Sequence, residues 1–500
     1  MFNHITLTDN TPSTFSDCKL YNKIHAYHDL QTVAGISLSE LCKENSSLLV
    51  FPDCLGNHND KIEELKICEL SGRPACNDEN QITNVDDVKI KTGNLMGFVG
   101  FSGKQNHGTK LEIRSRFTNN SGQDFFLHYM LEKVFKINLF DMNYSFSQSE
   151  VFDFMYFLFP YFLKKAINQG VFRSYQVYER NDSAVRGTID VSRHIRQNPL
   201  FNGKVAYRSR EYSYDNHITQ LIRHTIEFIR KKEIGRSILT HDDETRQAVK
   251  QIEMATSSSF SIQKLRKVLH QNSKIINHPY YTHYKNLQKL CLMILTHQTM
   301  QFAKSDSPVY GILFDGAWLW EEYLNTILRD LNFEHPTNKD RKGGIRLFDN
   351  TVGSEGENSF SKCYRRIYPD FYKENSSDDK KDGIILDAKY KHLENGLVRD
   401  DLYQIISYMH TMEIDKGGFI YPDSSTVLTN RIGEDETRLL SEVEVKNYHL
   451  AGLGGTVFTV AFPITQNAEN YQFFKTQMHK AEGEWEIVMS SATKDFIRRF

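Results

Sequence analysis

Residues 369–391 read PDFYKENSSDDKKDGIILDAKYK, and the way this stretch pairs with itself decides the fold of the C-terminal part of the chain. The tract from Lys373 to Gly383 is polar and glycine-ended, the composition of a loop that joins two strands. On its near side, residues 363–371 (CYRRIYPDF) read as a strand whose far end carries Asp370. On its far side, residues 383–391 (GIILDAKYK) read as a second strand, apolar at Ile384–Leu386 and charged beyond. Alternate residues of a strand share a face, so Asp387 and Lys389 are expected to point the same way and Ala388 the other. If the two strands form a hairpin, Asp370 comes to lie beside Asp387. Two carboxylates and one ammonium then converge.

Such a trio has a chemical use. Neighbouring carboxylates repel unless a hard divalent cation neutralises them, and oxygen-only ligands suit Mg²⁺ or Mn²⁺. A cation held there activates water and stabilises charge gathering on a phosphodiester, while the lysine orients or helps to deprotonate that water. The same letters also suit charges snorkelling at a sheet rim after a Pro-Asp turn. The flanking sequence favours the first reading. Upstream, residues 316–331 (GAWLWEEYLNTILRDL) form an amphipathic helix with an apolar stripe of Trp320, Leu324, Ile327, Leu328 and Leu331. Glu321 sits at the margin of that stripe and is the glutamate expected to point at the sheet, whereas Glu322 shares the polar side. Downstream, residues 399–412 (RDDLYQIISYMHTM) form a second helix with Leu402, Ile405, Ile406 and Met409 towards the core. Asp401, Gln404 and Tyr408 share another stripe, where an amide and a phenol support the lysine or meet a phosphate backbone.

Five hundred residues exceed one ordinary domain. The pattern is multidomain: an N-terminal mixed, β-rich domain (1–125), a mainly α-helical middle region (126–305) and a C-terminal α/β domain (306–500). The middle region carries one β-like insert around residues 175–214. The most apolar run, from Val151, holds Asp153 and Pro160 and meets lysines before reaching a membrane span; it reads as a core helix pair. With 39% hydrophobic residues and a net charge of -2, from 61 basic and 63 acidic residues, the chain is globular and has no global positive field. Any nucleic-acid contact must use local patches. The best of these is 185–210, where Arg186, Arg193, Arg196, Lys204, Arg208 and Arg210 face a single acid, Asp190, and which suits either a phosphate-tracking surface or a solvated rim. The seven cysteines show no C-x-x-C pair, which fits reduced thiols; a zinc site with His58 lacks the ligand pairing it would need. His194, His217, His224 and His410 read as surface or packing residues. The first residues lack the basic and apolar regions of a secretory signal.

Helix glutamate, strand P-D, strand D-x-K and a helix with Q-x-x-x-Y, in that order, resemble the PD-(D/E)xK nuclease fold in its Q-x-x-x-Y branch. The chain is similar, more closely, to McrC-like nuclease subunits of McrBC and LlaJI-type restriction systems. The carriers are LWEEYL (319–324), YPDF (368–371), IILDAKYK (384–391) and DLYQIISY (401–408), with TGNLMGFVGF, NQGVFRSYQVYERNDSAVRGTIDV and REYSYDNHITQLI further upstream. LEIRSRF stands where many McrC proteins carry isoleucine followed by proline and lysine. The resemblance implies metal ligation by Glu321, Asp370 and Asp387, Lys389 as catalytic lysine, and Gln404 and Tyr408 in support. It also implies a partner, a hexameric McrB-like AAA+ GTPase contacted through the N-terminal domain, so that GTP acts only through the partner subunit. No G-x-x-x-x-G-K-[ST] loop occurs in the chain, in keeping with a motor on another polypeptide. Double-stranded DNA as substrate, no membrane, a bacterial cytoplasmic location and pairing of two nuclease domains for double-strand cleavage belong to the same expectation. The alternatives are a non-catalytic adaptor that stimulates the motor and a motor-independent exonuclease.

Overall fold

The computed structural model describes residues 2–18, 20–45, 48–52, 65–77, 81–101, 108–118, 124–135, 148–232, 235–300, 309–336, 344–347, 366–374, 383–393, 396–424, 445–452, 454–465 and 468–495. His58 and Cys54, of the zinc alternative, lie outside them. The chain divides into two compact units: Met1–Lys136 together with Asp306–Phe500, and Ile137–Ser305.

The first unit begins with β1 (Phe2–Thr8), β2 (Pro12–Thr14), α1 (Lys23–Gln31), α2 (Leu38–Glu44), β3 (Leu48–Phe51), β4 (Cys68–Ser71), β5 (Ala75–Cys76) and β6 (Ile82–Asn84). It continues through β7 (Lys89–Thr92), β8 (Leu95–Phe101), β9 (Gly108–Arg114) and α3 (Phe125–Phe135). In the second unit, helices α4 (Gln148–Ile167), α6 (His217–Arg230), α7 (Gly235–Thr240), α8 (Asp243–Thr256), α9 (Leu265–Gln271) and α10 (His283–Met300) accompany a small sheet. That sheet is built from β10 (Ser174–Asp182), β11 (Thr188–Ile189) and β12 (Val205–Ser213), in the order β10-β12-β11, with α5 (Val191–Gln197) packed on β12. The run from Val151, expected as two helices, is one helix with Pro160 inside it. A proline removes one ladder donor, but buried side chains continue from Met155 to Leu163 across it, so the apolar face is not interrupted.

The chain then returns to the first unit with β13 (Val309–Asp315), α11 (Gly316–Leu328), β14 (Ile345–Arg346), β15 (Arg366–Ile367), β16 (Phe371–Lys373) and β17 (Ile384–Ala388). It ends with α12 (Arg399–Met412), β18 (Lys416–Asp423), β19 (Val445–His449), β20 (Thr456–Pro463) and α13 (Tyr471–Asp495). β13 enters the N-terminal sheet, ordered β1-β9-β8-β13-β3, antiparallel to β8 and parallel to β3. A strand expected to belong to the C-terminal domain therefore completes the N-terminal core around Ile5, Val50, Leu95, Val99, Leu111 and Leu313.

The second five-stranded sheet runs β16-β17-β18-β20-β19; β17, β18 and β20 are parallel, and β16 and β19 are antiparallel edges. Parallel strands buried on both faces need helices on both sides. α12 covers one face: Ile405, Tyr408 and Met409 pack with Ile385, Phe419 and Val457. Gly417 permits this approach, since a Cβ there would stand 2.6 Å from Met409 Sδ. α11 and α13 cover the other face, where Trp320 and Trp485 flank Phe462 at 5.6 and 5.4 Å between ring centroids. Buried Glu482 on α13 accepts hydrogen bonds from Tyr129 of α3 and Tyr323 of α11, both at 2.8 Å. Among the described residues no helix is long and apolar enough to cross a membrane.

Candidate active site

The hairpin expected from 369–391 is present, with β16 and β17 paired so that Phe371 faces Leu386. Of the expected strand 363–371, the described residues 366–371 do not form one strand, however. Pro369 has no N–H to give to a ladder, and Asp370 lies in the bend just before β16. The Asp370 carboxylate accepts a hydrogen bond from the Ala388 amide, Oδ2 at 2.7 Å, which holds it across the end of β17. Asp387, only 1% exposed, sits on the same strand. Two residues on, Lys389 returns to the same face and brings Nζ to 2.5 Å from Asp387 Oδ2. The last rung of the parallel ladder, Lys389 N to Ile420 O at 2.8 Å, fixes that register.

α12 crosses from β17 to β18 and sets its polar stripe beside the lysine. Lys389 Nζ donates to Gln404 Oε1 at 3.3 Å, and Gln404 Nε2 donates to the Tyr408 hydroxyl at 2.8 Å. Tyr408 in turn donates to the Tyr368 carbonyl at 3.4 Å, next to Pro369 and Asp370. Asp401 places one oxygen 3.4 Å from Lys389 Nζ and gives the other to Lys391.

The charges do not balance comfortably. Burial, then the neighbouring charge of Asp370, push the Asp387 carboxyl up to about 7, with Lys389 pulling the other way. Burial disfavours the Lys389 ammonium, yet Asp387, Asp401 and Asp370 together hold its pKa above the usual lysine value. Burial also raises Tyr408. The Lys389 ammonium, 2.5 Å from Asp387 Oδ2, opposes the rise of that carboxyl through its charge and a hydrogen bond but does not overcome it. A buried carboxylate beside a second carboxylate is a donor set that fits a hard divalent cation. Mg²⁺ is commonly held by one or two carboxylates with substrate phosphates completing the shell, and Asp370 and Asp387 supply that number.

Glu321 is half-buried on α11, on the side of the sheet that α12 leaves uncovered. Among the described residues no group of three or more His, Cys, Asp or Glu side chains is assembled to hold a metal ion, so Glu321 does not form a ready trio with the two aspartates. In the second unit, the arginines of 185–210 are largely engaged by their own sheet. Arg193 donates to the carbonyls of Arg180 and Tyr207 at 2.5 and 2.9 Å and pairs with Glu179 at 3.0 Å. Arg208 pairs with Glu179 and Asp190 at 3.2 and 3.0 Å, and Arg210 lies 4.5 Å over the Tyr175 ring. Arg186 and Arg196 are exposed. Two residues that hold the site carry no assigned role in the sequence expectation. Asp401 was detectable as the third member of the Gln404–Tyr408 stripe. His335, which donates from Nδ1 to the Asp370 carbonyl at 2.6 Å and stacks on Phe371, had no periodic signal to reveal it.

A family model described as "McrBC 5-methylcytosine restriction system component" matches residues 90–422, two thirds of the chain and all of the site. Among solved structures, the chain matches a refined half-complex from a tetradecameric assembly of Thermococcus gammatolerans McrB AAA+ hexamers with bound McrC. That match has 15% identity and a TM-score of 0.47, and covers 98% of this chain and 100% of the other. A second match, to the cryo-EM structure of the Thermococcus gammatolerans McrBC complex, has 15% identity and a TM-score of 0.27, and covers 65% of this chain and 87% of the other. No curated protein shows significant similarity.

Proposed function

Because the chain belongs to the family of McrBC 5-methylcytosine restriction system components, we propose that it is the nuclease subunit of such a system, hydrolysing phosphodiester bonds of double-stranded DNA with a divalent cation. One observation carries this reading. Asp387 is buried beside Asp370 with Lys389 on the same face, and its carboxyl stays raised to about 7 despite that ammonium, an arrangement that favours a further cation. The β16–β17–α12–β18 order around it supports a PD-(D/E)xK core. Activation by an AAA+ GTPase partner of the McrB type, and action in the bacterial cytoplasm, complete the proposal; GTP would be bound by that partner alone.

Asp370 and Asp387 would hold Mg²⁺ or Mn²⁺, with Glu321 as a further candidate, and the cation would supply an activated water and charge stabilisation. Asp370 is kept in reach by the Ala388 amide, by His335 at its carbonyl and by Tyr408 at the Tyr368 carbonyl two residues earlier. Lys389 stays protonated at neutral pH because three carboxylates surround it, so its role is electrostatic: it attracts the scissile phosphate and orients water. Gln404 accepts from that ammonium only if its amide oxygen faces it, and the bond from its NH₂ group to Tyr408 selects this orientation.

The test is a reconstitution with an McrB-type AAA+ partner, GTP, Mg²⁺ and methylated or unmethylated plasmid, comparing wild type with Asp387→Ala. The proposal expects GTP-dependent cutting that falls to background in the variant. Undiminished cutting by the variant removes the assignment. Cutting without partner or GTP identifies a motor-independent nuclease, and motor stimulation by both forms without cutting identifies an adaptor.

A further inference from the structure

We propose that Tyr390 is a positioning residue, whose buried phenol clamps the end of β17 against the N-terminal sheet and so fixes the direction of Lys389. The inference rests on the hydrolytic reading of the Asp387–Lys389 site and adds a residue to it. β17 ends at Ala388, and its ladder contributes one further rung at Lys389. Beyond that rung the direction of a long, rotamer-rich lysine depends on what holds the next residue. Alternation turns Tyr390 away from the site, and the side chain is 5% exposed.

Its hydroxyl is fully used. The Phe117 amide donates to Ser115 Oγ at 3.0 Å, Ser115 Oγ lies 2.6 Å from the Tyr390 oxygen, and the Tyr390 hydroxyl reaches Met96 Sδ at 3.2 Å. One direction of donation satisfies the whole chain: amide to serine, serine to tyrosine, tyrosine to sulfur. The ring is gripped as firmly. Phe117 meets it edge-on at 5.2 Å, and the Arg116 guanidinium stands 5.1 Å from its centroid. Each anchor is itself pinned. The Ser115 amide donates to the buried Asp124 carboxylate at 2.6 Å, and Arg116 holds Asp9 through its own amide, Nε and Nη2.

Gly316, the first residue of α11, completes the slot. A Cβ there would stand 2.8 Å from Tyr390 Cε1, so only glycine lets the helix start against the ring. The phenol thus joins three pieces of the first unit: the β8–β9 part of the N-terminal sheet, the start of α11 and the strand that carries Asp387 and Lys389. A flexible attachment would let Lys389 choose between Asp387, Asp401 and solvent; this one leaves it on the Asp387 side.

Tyr390→Phe removes the hydroxyl and keeps the ring, and Ser115→Ala removes the same bond from its other end. In the isolated chain, reductive methylation read by peptide mass spectrometry reports Lys389 accessibility relative to exposed Lys250. Both variants should label Lys389 about fivefold faster than wild type, the equivalent of one buried hydrogen bond removed. With partner, GTP and Mg²⁺, both should lower kcat for plasmid cutting by a similar factor at unchanged KM, and Tyr403→Phe, on the exposed side of α12, should change neither reading. A lower melting temperature with unchanged labelling and unchanged kcat overturns the proposal and leaves Tyr390 a packing residue. Faster labelling without a change in kcat overturns it as well. If Asp387→Asn cuts as fast as wild type, it is the hydrolytic reading that fails, and the labelling still decides whether the phenol directs Lys389.

Discussion

Asp387 and Arg193 are both charged side chains drawn into the protein, 1% and 12% exposed, and their surroundings treat them in opposite ways. Around Arg193, the small sheet of the second unit supplies two carbonyls and Glu179, and the neighbouring Arg208 finds both Glu179 and Asp190. Charge there is consumed by the fold. Around Asp387, the first unit adds a second carboxylate nearby, and the acid is pushed to about 7 even with Lys389 Nζ 2.5 Å away. A cluster that resolves its own charge has a structural explanation; a buried cluster that stays frustrated is where a ligand is needed.

The largest effect that sharpens this contrast comes from Asp387→Asn. A carboxyl raised to about 7 in the folded chain, against an ordinary value of 3.8, binds more protons folded than unfolded between those limits. Stability from this group is therefore highest in acid and falls as pH rises towards neutrality. At pH 8 and without divalent cations, the neutral variant should be more stable than wild type by about 1–3 kcal/mol in denaturant unfolding, while losing all cutting. A destabilised variant would mean that Asp387 is an ordinary structural ion-pair partner.

Arg193→Met should do the reverse. It strips donors from two part-buried carbonyls and a carboxylate, so unfolding of the second unit should become easier by about 1–3 kcal/mol, and a neutral result would break the contrast from the other side. Arg208→Ala removes an exposed pair and should cost less than about 1 kcal/mol, fading further in high salt. The smallest effect is expected from Arg186→Ala with Arg196→Ala. Both are exposed arginines of the patch, and for every phosphate they cease to neutralise, the salt dependence of DNA binding should flatten by ~0.9 in slope. An unchanged slope removes that patch from the DNA path.

The site was legible where it obeys local periodicity. Asp387 and Lys389 share a face because a strand alternates, and α12 spans 399–412, the range its apolar spacing dictates, with Gln404 and Tyr408 one turn apart. It was illegible where placement depends on distant chain. Asp370 lies in a bend rather than at a strand end because Pro369 cannot join a ladder. β13 chose the N-terminal sheet because strand partners far back in the chain offered paired edges, a choice that no local pattern encodes. Glu179 neutralises the arginine patch from outside the counted window, through the cross-strand register of β10 with β12. Glu321 and Glu322 are both half-buried on α11, and helix periodicity says nothing about the distance of either from another sheet face.

A calorimetric titration of Mg²⁺ into the metal-free chain at pH 7, repeated in buffers of different ionisation enthalpy, decides whether Asp370 and Asp387 hold a cation. Binding should be accompanied by proton release, because a cation on Asp370 and Asp387 displaces the proton that Asp387 holds near neutrality, and Asp387→Asn should lose both. Equal affinity in wild type and variant, or binding without any proton release, would contradict this placement of the cation.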